Sequence, residues 1–515
     1  MRRSRLIAIL VLVFSFESLS LPARAVLKEE LIYHAIQTDA EGNIVPWYSP
    51  NLGESYDHNI RLVWDFWKDM RLCPNGVKYY MQHQVWKRNK DDRSGLGGDQ
   101  LNEALSSWNL LHQYLGDAAV KDDMIYIADY YIAHAFSKPT DAWPNLPYPY
   151  NTDVHSGVYD GDMKAGEGYL QPDKAASFGA ELVVLYKITG ARKYLDVAIQ
   201  IADTLADKVT PGDADNSPWP FRVNAQTDEV HDVERDDGNY SASYTAAWTA
   251  ALRLYDDLIA LNEGRVDAYI RARGMAVDWL KAYPLKTNLW GPFFEDIPTP
   301  RYSDTETNAD TLAAYILEHP EWDPDWRQQA ESILNWSFET FGNFDWVEYG
   351  VTPINEQTVY QVPGNSHTSR HAAVELLLAE KTGDDSRKAG AIRRLSWATY
   401  MVDEDGRNRY PQNDIWLSDG YGDYVRHYLR AMASAPELAP SAQNHLLRSS
   451  SVIQSIRYGS HAITYTKFDE RSQERIKLGA WSPKLVKGGE MRWDPATRVL
   501  EVIATSNTVT IIRQK

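Results

Sequence analysis

LNEALSSWNLLHQYLGDAAVKDDMIYIADYYIAHA, residues 101–135, is the stretch whose reading decides the fold. Residues 101–114 and 120–135 each carry apolar side chains at helical spacing, and Leu115-Gly116-Asp117 lies between them. Glycine near a helix C-terminus, followed by a short polar turn, is what a tight helical hairpin needs. The same pattern recurs downstream. Residues 175–186 lead through Thr189-Gly190 into 194–205, and 244–258 through Glu263-Gly264 into 266–280. Residues 308–317 lead through His319-Pro320 into 326–341, and 372–378 through Thr382-Gly383-Asp384 into 388–400. Gly116, Gly190 and Gly264 are each 74 residues apart, an internal repeat that reads as architecture.

These are five hairpins, with one helical segment left over at each end. Residues 60–70 have no partner before them and 423–432 none after them. Pairing those two closes a ring, so the expected fold is mainly α, an (α/α)6-type toroid, with seven hairpins or an incomplete ring as variants. An open solenoid would space its hairpins closely. Here long loops rich in Pro, Trp and Asp (139–172, 208–240, 284–307, 342–370 and 401–422) separate them. Loops longer than packing requires point to function. After Pro440 the pattern changes to polar–apolar alternation, with Asp494-Pro495-Ala496-Thr497 as a turn between strands. The expected division is a signal segment 1–25, a helical domain 26–440 and a small antiparallel β module 441–515.

The chain has 515 residues, 1 cysteine, 18 tryptophans and 31 tyrosines. One cysteine excludes an internal disulfide and a cysteine-ligated zinc cluster. A formal charge of −18 argues against a nucleic-acid footprint. Arg2, Arg3 and Arg5 precede an apolar run over 6–16, too short to span a bilayer, and Ala23-Arg24-Ala25 fits a cleavage site. The expected mature chain is therefore secreted or periplasmic. It would carry 49 basic and 70 acidic side chains, a formal charge of −21. No later apolar run is long enough for a membrane span.

Four polar clusters fall in the long loops or the first turns after them. The first holds His155, Glu167, Asp173 and Lys174. Its Asp and Gly density does not match the ligand spacing of a calcium loop, and Asp173 alone reads as a helix-start residue. The second runs from His231 through Arg235 and Asn239-Tyr240 to Tyr244. Read as helical, Tyr240 and Tyr244 share a face. A fixed arginine beside a tyrosine stabilises the phenolate and makes it a usable base. The third holds His367, Arg370 and His371. The two histidines lack a third ligand nearby, so charge neutralisation or proton relay is preferred over a metal, and a buried, satisfied His371 is the alternative. The fourth, Trp416 to His427, reads as a helical ion pair from Asp423 with Trp416 and Tyr421 as sugar platforms. Trp143, Trp219 and Trp290 also fall in the long loops, where a sugar chain would lie.

The export signal, hairpin ring, aromatic loops and β module together resemble secreted polysaccharide lyases with (α/α) toroids that act on uronic-acid chains, the alginate and glucuronan lyases. Those enzymes similarly place an arginine shortly before a catalytic tyrosine, as Arg235 precedes Asn239-Tyr240 here. The upstream Asn-His pair often seen in them is missing. The resemblance implies β-elimination with Tyr240 as base and acid, Arg235 as tuner and clamp, and Glu167 or His155 neutralising the substrate carboxylate. Lys174, Asn239, Tyr244, His367, Arg370, Trp219 and Tyr302 would grip an anionic polysaccharide, with no metal or cofactor required. An inverting hydrolase is the first alternative, drawing two carboxylates from Asp160, Asp162, Glu167, Asp173, Glu234, Asp236, Asp237 and Asp310. A non-catalytic glycan-binding protein is the second.

Overall fold

The computed structural model describes residues 28–73, 76–81, 98–150, 152, 158–162, 164–235, 238–294, 304–412, 415–419, 422–479 and 481–514. Residues 1–25, expected to be a signal segment, lie outside them. Among the described residues no helix is long and apolar enough to cross a membrane.

A short α1 (Lys28–Leu31) precedes α2 (Leu52–Lys68), α3 (Gly98–Leu115) and α4 (Ala118–His134). Next come α5 (Pro172–Thr189), α6 (Arg192–Lys208), α7 (Thr249–Leu261), α8 (Val266–Ala282) and a single turn α9 (Pro284–Thr287). The helical part ends with α10 (Glu306–Glu318), α11 (Trp326–Phe341), α12 (Asn365–Thr382), α13 (Lys388–Ala398) and α14 (Asp423–Ser434). Helices α3, α5, α7, α10, α12 and α14 pack in that order, and α14 returns to α3. Around this inner ring α4 backs α3, α6 backs α5, α8 backs α7, α11 backs α10 and α13 backs α12. Helix α2 sits against α14, with Tyr56 edge-on to Tyr428 at 5.0 Å.

Turn chemistry sets the hairpins. Gly190 takes φ 72°, and its amide returns to Tyr186 O at 2.7 Å, closing α5 where a side chain would be strained. Asp117 caps α4 by accepting from Ala119 N. Helix α7 begins at Thr249, five residues later than periodicity predicts. The reason is competition for backbone partners: Ala246 N bonds Trp290 O, and Thr245 Oγ1 donates to Pro292 O. That anchors 244–248 to the loop after α9 and denies these residues helical hydrogen bonds.

The aromatic excess goes into the core. Trp67, Trp108, Trp219, Trp248, Trp279, Trp290, Trp346 and Trp397 are fully buried. Each ring of this size removes roughly 150–250 Å² from water, worth roughly 4–6 kcal/mol as an upper figure. The expectation of Trp143, Trp219 and Trp290 as sugar platforms is therefore corrected. Trp143 is buried, Trp219 donates to Leu205 O at 2.8 Å, and Trp290 packs against Trp336. Loop position did not mean exposure, because these loops fold back over the ring. The side chains of Trp416 and Tyr421 lie outside the described residues.

The C-terminal strands form two four-stranded antiparallel sheets. One orders His445–Ser449, Ser472–Lys477, Val499–Ala504 and Gly489–Asp494; the other Ile453–Tyr458, Ala462–Lys467, Thr508–Arg513 and Pro483–Lys487. Leu446, Ile463, Tyr465, Ile476, Leu500, Val502, Val509 and Ile511 fill the space between them. This module covers the C-terminal ends of the inner helices. His445 stacks on Tyr114 at 3.9 Å, Gln454 donates to Lys187 O at 3.0 Å, and Arg448 grips Glu380 with two bonds of 2.8 and 2.7 Å. Arg475 reaches Glu380 and Ala433 O. Cations at helix C-termini are favourably placed.

Candidate functional site

The opposite end of the ring is where the inner helices begin. Their first two turns carry Glu103, Asp173, Glu306 and Asp423 together with Lys174, His367, Arg370 and Arg426. Helix N-termini favour anionic side chains, and most of these groups are buried, so each charge needs a partner. Thr305 caps α10 by accepting from Thr307 N, which sets Glu306 at the first helical position.

Glu306 Oε1 accepts from His367 Nδ1 and from Arg370 at 2.9 Å. Arg370 also donates to Thr307 Oγ1 at 2.9 Å and to Asp423 at 3.2 Å. Ser366 donates to Asp423, and Arg426 pairs with Glu103 at 2.8 Å. Burial by itself would raise Glu306, but Arg370 and His367 outweigh it and hold the carboxyl below its ordinary range. Asp423 is likewise held low, with His427, Arg426 and Arg370 overcoming burial. Because Nδ1 faces Glu306, the ring presents Nε2 on its other side, where no described residue hydrogen-bonds it. A carboxylate-oriented imidazole with an open Nε2 is equipped to take up or give a proton.

One turn deeper lies a second rung. His371 Nδ1 donates to Asp310 at 2.8 Å, and its Nε2 faces Glu375 at 3.5 Å. Arg394 pairs with Glu375 in turn. Burial would lower His371, but Asp310 and Glu375 hold it up at about 9. Glu375 is pulled down to about 2, Arg394 and His371 overriding burial.

Across the ring, Lys174 donates to Phe293 O at 2.9 Å, lies 3.0 Å from the centre of the Phe293 ring and pairs with Asp173 at 3.2 Å. Burial raises Asp173 above an ordinary carboxyl, with Lys174 opposing. A cavity of about 90 Å³ opens here, with Glu103, Asp173, Lys174, Arg253, Asn308 and Arg426 in its wall.

The residues predicted to form the site separate into two places. Lys174, His367 and Arg370 belong to the mouth. Tyr240 and Asn239 lie on a hairpin, Asp232–Arg235 against Gly238–Ser241, in which Val233 pairs with Tyr240 and Arg235 with Gly238. Asn239 is exposed and Tyr240 half-buried. The shared helical face expected for Tyr240 and Tyr244 is corrected: neither is helical. Tyr244 is buried, donates to Leu289 O at 2.7 Å, and is raised by burial and by Asp304. It packs rather than grips. Glu167 is exposed on a two-residue strand. His155 and Tyr302 lie outside the described residues, as does the side chain of Arg235. Among the carboxylates weighed for a hydrolase, Asp162 is locked in a buried pair with Arg222 at 2.8 Å and caps Lys164 N and Ala165 N. Asp310 is held by His371. Glu234 is exposed, Asp160 accepts from Thr152 N at 2.7 Å, and Asp236 and Asp237 lie outside the described residues.

Sequence reasoning missed Glu306 and Glu103. Glu306 is 61 residues from His367 and looks like an ordinary first-turn acid. Its one legible signal is spacing, since Glu306 and Asp310 repeat the i, i+4 interval of His367 and His371.

No protein-family model matches this chain, and no curated protein sequence matches it. Solved structures do. A cellobiose 2-epimerase from Spirochaeta thermophila has a TM-score of 0.54 at 12% identity, covering 75% of this chain and 98% of that one. A cellobiose 2-epimerase from Bacillus thermoamylovorans has a TM-score of 0.54 at 14% identity, over 74% and 98%. A D-mannose isomerase has a TM-score of 0.50 at 11% identity, over 74% and 96%. These are (α/α)-toroid enzymes, and at such identity the likeness establishes the fold and not the reaction.

Proposed function

We propose that this protein is a carbohydrate-active enzyme that moves a proton at an activated sugar carbon, with the reaction run at the mouth of the ring. The observation that carries this reading is the Glu306–His367 pair with its open Nε2, braced by Arg370. His367 Nε2 removes a carbon-bound proton, and Glu306 stabilises the imidazolium that results. In the uronate-lyase form, the proton leaves C5, the C4–O4 bond breaks, and O4 departs with a proton supplied by Asp173, whose carboxyl burial raises and Lys174 opposes. Lys174 and Arg370 provide the positive field that makes the C5 proton removable. The substrate class is a uronic-acid polysaccharide of alginate or glucuronan type, met by an exported chain. The order of helix neighbours supports a toroid of six hairpins, closed by α2 on α14.

A second reading keeps the same substrate and gives the proton to Tyr240. The hairpin register favours it, because Arg235 stands two positions along the strand from the partner of Tyr240. Paired-carboxylate hydrolysis has less support, since Asp162 and Asp310 are committed to buried partners.

The test is incubation with alginate, glucuronan and cellobiose in deuterated buffer. Ultraviolet absorbance of an unsaturated uronate is followed together with deuterium at sugar carbons. Lyase action gives absorbance, and proton transfer without cleavage gives deuterium in the sugar. New reducing ends with neither signal would sink the proposal in favour of hydrolysis.

A further inference from the structure

Below the mouth the bore widens into a cavity of about 470 Å³. Thr249, Arg253 and Thr311 line both cavities, so the two follow one another along the ring axis. The far wall is the β module, through residues 447–452. Small-molecule sites span about 300–1,000 Å³, so this space suits a ligand of monosaccharide size.

Most charges around it are already paired. Lys187 is on Asp257 at 2.6 Å, Arg448 is on Glu380, and Asp310 is on His371. Two guanidiniums are not fully used. Arg253 makes one side-chain hydrogen bond, to Glu181 at 3.4 Å, while Glu181, Asp257 and Glu318 together support its charge. Arg430 lines the cavity, exposes its side chain there, and has no ion pair or side-chain hydrogen bond among the described residues. Its surroundings are unfriendly to a lone cation. Enclosure by the cavity wall, together with the charges of Arg426 and Arg253, presses Arg430 down to about 10, with Glu318 and Glu181 opposing. A guanidinium placed beside another cation in an enclosed space is costly unless an anion joins them.

We infer that Arg430 and Arg253 form a binding site for a small hydroxylated carboxylate, the size of a monosaccharide acid, at the module end of the bore. A carboxylate takes two parallel N–H bonds from a guanidinium fork, and seating it between these two residues relieves their mutual repulsion. The rest of the wall specifies hydroxyl groups. Glu318 lines the cavity with no ion pair among the described residues, its charge felt by Arg253 and Arg430, and Asn109 and Gln113 add amide groups. A bare oxoanion would leave those acceptors unmet. Arg253 is shared with the mouth cavity, but Arg430 lines the larger cavity and not the mouth, and among the described residues neither guanidinium is bonded to His367.

The experiment is calorimetric titration of the full chain with D-glucuronate, D-glucose and inorganic phosphate. Saturable glucuronate binding is expected, at least about tenfold tighter than glucose or phosphate, because only the sugar acid offers both carboxylate and hydroxyls. Arg430→Met should weaken it by about tenfold or more. Arg430→Lys, which keeps the charge and loses the fork, should fall between, and it decides the matter if the methionine variant does not fold. His367→Asn should leave glucuronate affinity within about twofold, separating this site from the mouth. Absence of binding, equal binding of phosphate, or an affinity unmoved by both Arg430 variants would overturn the inference. So would loss of binding in His367→Asn, which would place the ligand at the mouth.

Discussion

His367 and His371 stand one helical turn apart on α12, and each gives its Nδ1 to a carboxylate of α10, Glu306 above and Asp310 below. The acids are four residues apart, as are the histidines, so two rungs of the same chemistry cross between the same two helices. They differ at the other ring nitrogen. On the lower rung Nε2 meets Glu375, which Arg394 fixes in place. On the upper rung Nε2 meets no described partner. A histidine hydrogen-bonded to one carboxylate and 3.5 Å from a second is a brace, whereas one with a carboxylate at a single end has a lone pair to spend. Residue type and helical spacing are the same on both, so the third partner divides structure from chemistry.

The largest expected effect lies on the upper rung. His367→Asn should lower turnover by about 10²–10⁴-fold, the range general acid–base groups supply. The melting temperature should move by only a few degrees, because Arg370 still holds Glu306. Kinetics on the active substrate beside a thermal melt check both halves. A large loss of stability would make the two rungs alike and remove the distinction.

On the lower rung the effect should fall on stability. His371→Leu strands Asp310 without its cation, while Glu375 keeps Arg394, and breaking a buried pair costs about 3–5 kcal/mol. Chemical denaturation should show that loss. The folded fraction at low temperature should keep activity within a few-fold.

The same brace sets a pH limit. The folded pKa of His371, about 9, lies above the ordinary 6.5. Its contribution is therefore fully present below about pH 6.5 and is lost as pH rises through 9. Glu375, held near 2, works on the acid side: its contribution is present above its ordinary pKa and is lost as pH falls toward 2. Melting temperatures between pH 6 and 10 should fall on the alkaline side in the wild type. That fall should be smaller in His371→Leu, which has nothing there to lose.

The ring of hairpins was legible because apolar periodicity and turn glycines are local signals. Helix α12 was legible only from residue 372 onward. Its first seven residues, Asn365 to His371, are almost wholly polar and resemble loop. They are helical because Glu306, Asp310 and Asp423 meet them from neighbouring helices, a tertiary cause that no window along the chain contains. The same holds for the site. His367 and Arg370 stood out as unusual types in one turn, but their acids come from α10 and α14. Tyr244 failed as a ligand for the converse reason: its local pattern was helical, and backbone bonds to the loop after α9 prevailed.

The smallest expected effect separates the mouth from the hairpin that carries Tyr240. If His367 moves the proton, Tyr240→Phe removes one hydroxyl from a half-buried strand residue and should change turnover by no more than about threefold, within what loss of a peripheral hydrogen bond allows. If Tyr240 is the base, the same change removes the proton acceptor, and turnover should fall by about 10² or more. The double variant His367→Asn with Tyr240→Phe sharpens the comparison. Independent roles make the two losses multiply, whereas a base and an acid serving one proton path leave the double variant little worse than the poorer single one. Lost fold cannot mimic that pattern, since neither residue closes a buried brace of the kind His371 provides.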